Sequence, residues 1–198
     1  CGAYNANIQR AVEDYLDGLR AEGREFRLYV IGRKAMDHAK RMKYTVEGYF
    51  DTVNLESIDF SEAAAVSNAL VSAFRMGQLS ELKLAFTSFV SMVKYDPQVA
   101  TFLPIAPADS DGPASDAILE PGGPELLGRL VPRYLETRVY HALLESVTSE
   151  YASRRFAMKN ATDAAGDMKK DITRLYNRAR QAKITAEITE IVSGAEAL

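Results

Sequence analysis

Apolar positions recur at steps of three and four from the head of the chain. Ile8, Ala11, Val12, Tyr15, Leu16 and Leu19 fall on one face of a helix over 6–19, with Arg10, Glu13, Asp14 and Asp17 opposite. Glu22-Gly23-Arg24 punctuates that helix, and Phe26 to Ile31 then reads as a strand stopped by Gly32. Arg33 to Met42 reads as a short helix, and Thr45 to Val53 as a weaker extended piece rich in β-formers. Asp59 or Ser61 caps the next helix, which Glu62 and the alanines after it carry to about Met76, where Gly77 ends it. Leu82 to Val93 is the best strand candidate, with Leu82, Leu84, Phe86, Phe89, Val90 and Val93 in a β-rich run. Prolines 104, 107, 113, 121 and 124 crowd the stretch from Leu103 to Pro124, which reads as loop with a short strand at Ala117 to Leu119. Such strand–helix alternation predicts an α/β domain with a mainly parallel sheet.

The pattern changes over the last third. Past Pro124 the glycines thin to Gly128, Gly166 and Gly194, and Pro132 is the one later proline. Pro124 suits a first helical turn, whereas Pro132 would kink or restart the helix. From Pro132 onward a single helix would run roughly 100 Å, against about 30 Å for a small domain. It must project, fold back or find a partner. The apolar stripe favours a partner: Ala157, Ala161, Ala164, Met168, Ile172, Leu175, Ala179 and Ala182 follow the three-and-four spacing of a coiled coil, with one residue of slip. Alanine there lets a neighbouring helix approach closely. The chain holds no second segment of that length and begins Cys1-Gly2-Ala3 rather than with Met, so upstream residues or another subunit are expected to supply the neighbour.

Composition bounds the function classes. The 198 residues are 47% hydrophobic and 26% charged, an ordinary globular balance that allows one domain with a substantial appendage. No apolar run approaches the roughly 18 residues of a membrane-spanning helix, no secretory leader is visible, and the single Cys1 excludes a disulfide-stapled scaffold. The net charge of -3 hides a segregation. Between Tyr151 and Thr185, Arg154, Arg155, Lys159, Lys169, Lys170, Arg174, Arg178, Arg180 and Lys183 stand against Asp163, Asp167 and Asp171 alone. A basic helix on an acidic protein implies an acidic partner, either protein carboxylates or nucleic-acid phosphates.

Catalytic chemistry is hard to find. His38 and His141 lack metal-ligand spacing and suit surface or packing roles. Asp109-Ser110-Asp111-Gly112-Pro113 lacks the spacing and closing Glu of a calcium loop. Gly32-Arg33-Lys34 is ordinary turn chemistry rather than a phosphate loop. Asn160-Ala161-Thr162 matches a glycosylation sequon but sits mid-helix and should be unmodified. Met158 and Met168 suit packing. No cofactor, no metal and no catalytic residue are expected.

The long helix resembles a known family. The run from Tyr151 through Arg154-Arg155-Phe156 and Asn160-Ala161-Thr162-Asp163 to Asp167, and the ending from Tyr176 through Arg180-Gln181 and Thr185 to Leu198, are similar to the C-terminal helix of the γ subunit of rotary F-type ATP synthases. Cys1-Gly2-Ala3-Tyr4-Asn5-Ala6-Asn7 resembles the strand-to-helix turn early in that subunit's globular domain, and Pro132 to Tyr140 the start of its long helix. The resemblance implies a Rossmann-like three-layer α/β foot over 1–123, followed by a C-terminal helix over 124–198 that forms half of an antiparallel coiled coil. The other half would be an N-terminal helix, which with a first strand precedes the Cys1-Gly2 turn in that family. Chloroplast members carry an inserted cysteine pair for redox control, which a chain with only Cys1 lacks.

The function implied by the resemblance is mechanical: a non-catalytic bacterial rotor subunit, peripheral on the cytoplasmic face of the cell membrane. It would couple proton flow through the membrane c-ring to ATP synthesis or hydrolysis at the β subunits. Its implied partners are the α and β subunits of the catalytic hexamer, the ε subunit and the c-ring. Arg180 and Gln181, with Thr185 one turn on, would contact β-subunit loops, as would Lys159, Arg174 and Arg178. Ile184, Ile188, Ile191 and Val192 would form a tip turning in an apolar bearing. The competing reading is an α/β scaffold presenting a basic helix to nucleic acid, whose affinity would fall steeply with salt.

Overall fold

A computed structural model describes residues 2–53, 55, 57–77, 79–106 and 122–196. The elements run α1 (Tyr4–Ala21), β1 (Leu28–Ile31), α2 (Arg33–Arg41), β2 (Val46–Phe50), α3 (Phe60–Arg75), β3 (Leu82–Ser91), β4 (Lys94–Leu103) and α4 (Gly123–Glu196). The chain divides into two compact units, residues 1–154 and residues 155–198, and α4 contributes to both. The short strand expected at Ala117 to Leu119, the acidic loop at Asp109 to Pro113 and Cys1 lie outside the described residues.

The first unit is layered. β1 pairs with β2 in parallel and β3 with β4 antiparallel. Successive side chains of β1 point to opposite sides, as a pleated strand requires. Leu28 and Val30 pack with Leu16 of α1, Ala39 of α2 and Tyr44. Tyr29 and Ile31 pack against the main core, where Ala63, Val66 and Leu70 of α3 and Leu135, Val139 and Leu143 of α4 enclose Leu82, Phe102 and Leu103. Strands therefore lie between α1 and α2 on one side and α3 and α4 on the other. The ring of Phe60 joins α3 to α4, lying 5.4 Å from the Tyr140 ring with the Arg133 guanidinium 4.0 Å from its centroid.

Local chemistry explains the boundaries. Asp59 is the cap of α3, accepting from Ser61 N–H at 2.7 Å while Glu62 accepts from Asp59 N–H at 3.4 Å. Two of the exposed donors at the head of the helix are thereby satisfied. Gly32, with φ +88, turns the chain from β1 into α2 in a conformation that a side chain would strain.

Three expectations need correction. The strands are not mainly parallel, because β4, a stretch to which the sequence reading assigns no element before its loop from Leu103, pairs antiparallel along β3 to Leu103. Pro97 hid it. Pro97 stands opposite Thr87, whose N–H faces Ser146 and whose carbonyl faces Ser149, both on α4 and away from β4. At such a non-bonded position the proline's missing N–H faces outward too, so the ladder loses nothing. Secondly, β3 ends at Ser91 rather than Val93, because Ser91 Oγ accepts from the N–H groups of Val93 and Lys94 and turns the chain. Thirdly, Pro132 neither restarts nor ends α4, which begins at Gly123 and continues through it. Gly128, whose carbonyl the proline leaves without its helical donor, is exposed, so water can take that bond.

Candidate functional site

Two regions stand out by their chemistry, a polar joint within the first unit and the bare helix of the second. The joint is built on α4, where Ser146, Ser149 and Ser153 are spaced three and four apart and so share a face. Thr87 N–H donates to Ser146 Oγ at 3.3 Å, and Ser149 Oγ donates to the Thr87 carbonyl at 3.2 Å. Tyr95 of β4 and Ser153 hold their hydroxyls 3.1 Å apart. Ser149, Ser153 and Thr87 are all buried. Gly2 approaches so closely that a Cβ there would lie 2.2 Å from Ser153 Oγ, and its φ of +75 disfavours a side chain independently. Tyr4 follows, beside Ser146 and Thr87; burial pushes its phenol's ionisation above the usual tyrosine range. Sequence reasoning missed this joint. The serine spacing was visible, but nothing in the chain alone said what the serines face.

In the second unit almost every described residue is exposed; Ala157 is half-buried. Ala157, Ala161, Ala164, Met168, Ile172, Leu175, Ala179 and Ala182 share one stripe, and Met168, Ile172 and Leu175 are each 59% exposed or more. The small-residue face continues past the expected end, through Ala186, Thr189 and Ser193, which line a shallow concavity with Ala182. The repeating step of three and four past Ala182 was the available signal. Ile184, Ile188 and Ile191 lie roughly opposite that stripe at about 100° of turn per residue. They and Val192 are exposed, Ile191 at 72%.

The cations divide into two kinds. Lys159 meets Asp163 at 2.7 Å, Lys170 meets Asp167 at 3.1 Å, Arg174 meets Asp171 at 3.2 Å and Lys183 meets Glu187 at 3.8 Å. Arg178 and Arg180 have no carboxylate within 4.0 Å among the described residues. No acidic residue stands three or four places from either one, so their charge is uncompensated along the helix. Gln181 lends its backbone carbonyl to Thr185 Oγ1 at 2.9 Å. Thr185 thus turns its hydroxyl inward along the helix.

The other candidate groups stay apart. His38 is buried, with Nε2 3.0 Å from Glu13 and Nδ1 3.0 Å from Arg41, while His141 is exposed beside Glu145 at 3.5 Å. Met158 and Met168 are exposed among the described residues, at 54% and 65%. Among the described residues no cluster of three or more His, Cys, Asp or Glu could hold a metal, and no helix is long and apolar enough to cross a membrane.

Comparison with known proteins gives these faces a context. A family model for ATP synthase matches residues 1–198. The ATP synthase gamma chain of Acidiphilium cryptum is 41% identical over 205 residues, covering all of this chain and 69% of that protein. The gamma chain of Mycolicibacterium smegmatis is also 41% identical, over all of this chain and 70% of its own length. Among solved structures, the central stalk and c-ring of the Tetrahymena thermophila mitochondrial ATP synthase matches with TM-score 0.62 and 26% identity, over 82% of this chain and 70% of that one. A Euglena gracilis mitochondrial ATP synthase chain covers all of this chain and 68% of its own at TM-score 0.64; at 18% identity it speaks for the fold alone.

Proposed function

The chain belongs to the ATP synthase gamma chain family, and from that premise we propose how its residues divide the work of a rotor stalk. It is a non-catalytic subunit, the stalk of an F-type ATP synthase. The scaffold reading, with its basic helix on nucleic acid, finds no support among the relatives.

The observation that carries the division is the contrast between the two parts of α4. Its first part is a core element, with Leu135, Val139, Leu143, Ser149 and Ala152 buried. Its second part offers a small-residue stripe, an isoleucine stripe and uncompensated arginines. The foot spans residues 1–123 and the shaft helix residues 124–198. The stripe from Ala157 to Ala182 takes a second helix of the same subunit, supplied by sequence upstream of Cys1; the matched gamma chains are longer than this chain. Alanine at the contact permits the close approach that such a pair needs.

The remaining faces meet the catalytic hexamer. Arg178, Arg180, Gln181 and Thr185, with Lys159 and Arg174, face loops of the β subunits, and Ile184, Ile188, Ile191 and Val192 turn within an apolar sleeve. The foot meets ε and the c-ring on the cytoplasmic face of a membrane that carries the proton gradient. Coupling needs contacts that differ between catalytic states, because an interaction equal in all of them shifts no equilibrium. A helix with different chemistry on its two sides meets that need: as it turns, each β subunit faces first the stripe with its paired helix, then the side where the isoleucines and the cations alternate.

Co-purification of the tagged full-length subunit with α and β subunits of the same source tests this reading. The expected result is a stable complex whose ATPase activity depends on the chain. A folded chain that associates with neither would sink it.

A further inference from the structure

The core that holds α4 in the first unit is largely apolar, and apolar contact is non-directional. By itself it resists separation of the helix from the sheet better than it resists a roll of the helix about its own axis. Directional bonds fix a roll, and the ones present are concentrated at the joint of Ser146, Ser149 and Ser153. Both backbone groups of Thr87 are engaged by two serines one turn apart, and Tyr95 engages the third. Gly2 closes over Ser153 with no room for a side chain. A roll or one-turn slide of α4 would break these bonds together and leave a buried carbonyl and N–H unpaired.

We propose that this serine face is the torque clamp of the stalk: Ser146, Ser149 and Ser153 are positioning residues that lock the rotational register of α4 against the β3–β4 hairpin, so that a turn of the foot reaches the shaft without slip. The proposal rests on the rotor reading. A foot turned from outside must pass its turn to α4, and the clamp is the place in the first unit where backbone and hydroxyl groups specify one orientation of that helix. It adds a role to residues that touch neither nucleotide nor membrane.

The test uses the complete ATP synthase in sealed vesicles, carrying the full-length subunit as wild type, as Ser146→Ala/Ser149→Ala, or as Ser146→Thr, which keeps the hydroxyl. Losing both partners of Thr87 should open the joint roughly thirtyfold more often or beyond. Amide exchange at Thr87 should quicken accordingly. ATP hydrolysis without a gradient should stay near wild type, while the maximal proton gradient built by that hydrolysis falls by about half or more, because slip shows under load. Ser146→Thr should keep the gradient at the wild-type level. A merely structural role would lower assembly or hydrolysis and leave the protons moved per ATP unchanged. A wild-type gradient in the double variant would overturn the clamp. If the double variant does not assemble, Ser146→Ala alone, at a half-buried position, decides by the same ratio. A wild-type complex that hydrolyses ATP yet never builds a gradient would overturn the rotor reading itself, a different result from failure of the clamp.

Discussion

If the shaft meets a catalytic hexamer as proposed, replacing Arg178 and Arg180 together by glutamine should weaken that docking, whereas replacing Lys159 and Arg174 together should have little effect. The reason is local. Lys159 and Arg174 already face Asp163 and Asp171 at 2.7 and 3.2 Å, so a partner carboxylate must compete with one in the chain. Arg178 and Arg180 face none among the described residues. A unit charge pair at 4 Å is worth about 1 kcal/mol in water. Two uncompensated arginines therefore contribute about 2 kcal/mol, close to thirtyfold in affinity. The compensated pair should change affinity by less than about threefold, the scale of an exposed ion pair. Glutamine has nearly the helix propensity of arginine and lysine, so circular dichroism should show the same helix content in both variants. Titrating labelled full-length subunit with α and β subunits at low and high salt measures both affinities. The gap should narrow with salt as screening shortens to a few ångströms. Equal losses from the two variants, or a larger loss from Lys159 and Arg174, would refute the idea that pairing within the helix decides which cations a partner feels.

Other outcomes rest on the fold. Phe102→Ala empties a fully buried site between α3, α4 and the β3–β4 pair and should cost about 3–5 kcal/mol; a urea titration showing under about 1 kcal/mol would mean the core is not arranged as described. The first unit should lose stability in alkali. Burial raises the Tyr4 phenol, and the hydrogen bond donated to Glu81 raises Lys83, so both hold their protons more tightly folded than unfolded. That contribution is complete below their ordinary values of 10.0 and 10.5 and is lost as pH rises through the folded values. Tyr4→Phe should shift this alkaline limb of the melting profile to higher pH, and an unmoved limb would count against a buried Tyr4. Without a partner, amides from Met158 to Val192 should exchange roughly a thousandfold faster than those from Leu135 to Ala152, since an isolated helix has little but its own propensity to protect it; equal protection in a monomer would show that the stripe is already covered.

How much of this was legible in the chain varied with the range of the deciding interaction. The helices were readable because their causes are local: the three-and-four spacing of Ile8 to Leu19, and Asp59 with Glu62 at the head of α3. Gly32 was likewise readable as a stop, since a positive φ is a property of one residue. β4 was not readable, because the tolerance of Pro97 depends on which way its neighbour strand points its hydrogen bonds, and that is set by the register with β3, with serines about fifty residues later taking up the outward groups. The same holds for Pro132: its lost bond matters only if Gly128 is buried, and it is exposed. The candidate cations were visible as a set, yet their division into paired and unpaired lay in the spacing to Asp163, Asp171 and Glu187 rather than in the count.

A stalk must satisfy two demands that pull its surface in opposite directions. Where it is gripped, one orientation must win over every rolled alternative, and that takes buried directional bonds, which are costly unless each is satisfied. Where it acts, its faces must stay unsatisfied until a partner arrives, and must differ from one another. α4 meets both with small residues. Serines at three-and-four spacing let backbone and hydroxyl groups of β3 and β4 come within bonding distance at the grip; alanines at the same spacing leave a close-approach stripe on the exposed part. Larger residues in the serine stripe would act through bulk and blur the difference, whereas the exposed stripe mixes its alanines with Met168, Ile172 and Leu175. Exchanging the two chemistries is therefore asymmetric: alanine in the serine stripe should loosen register while preserving the fold, whereas serine in the alanine stripe should hardly change the chain alone and should weaken only its pairing with the second helix.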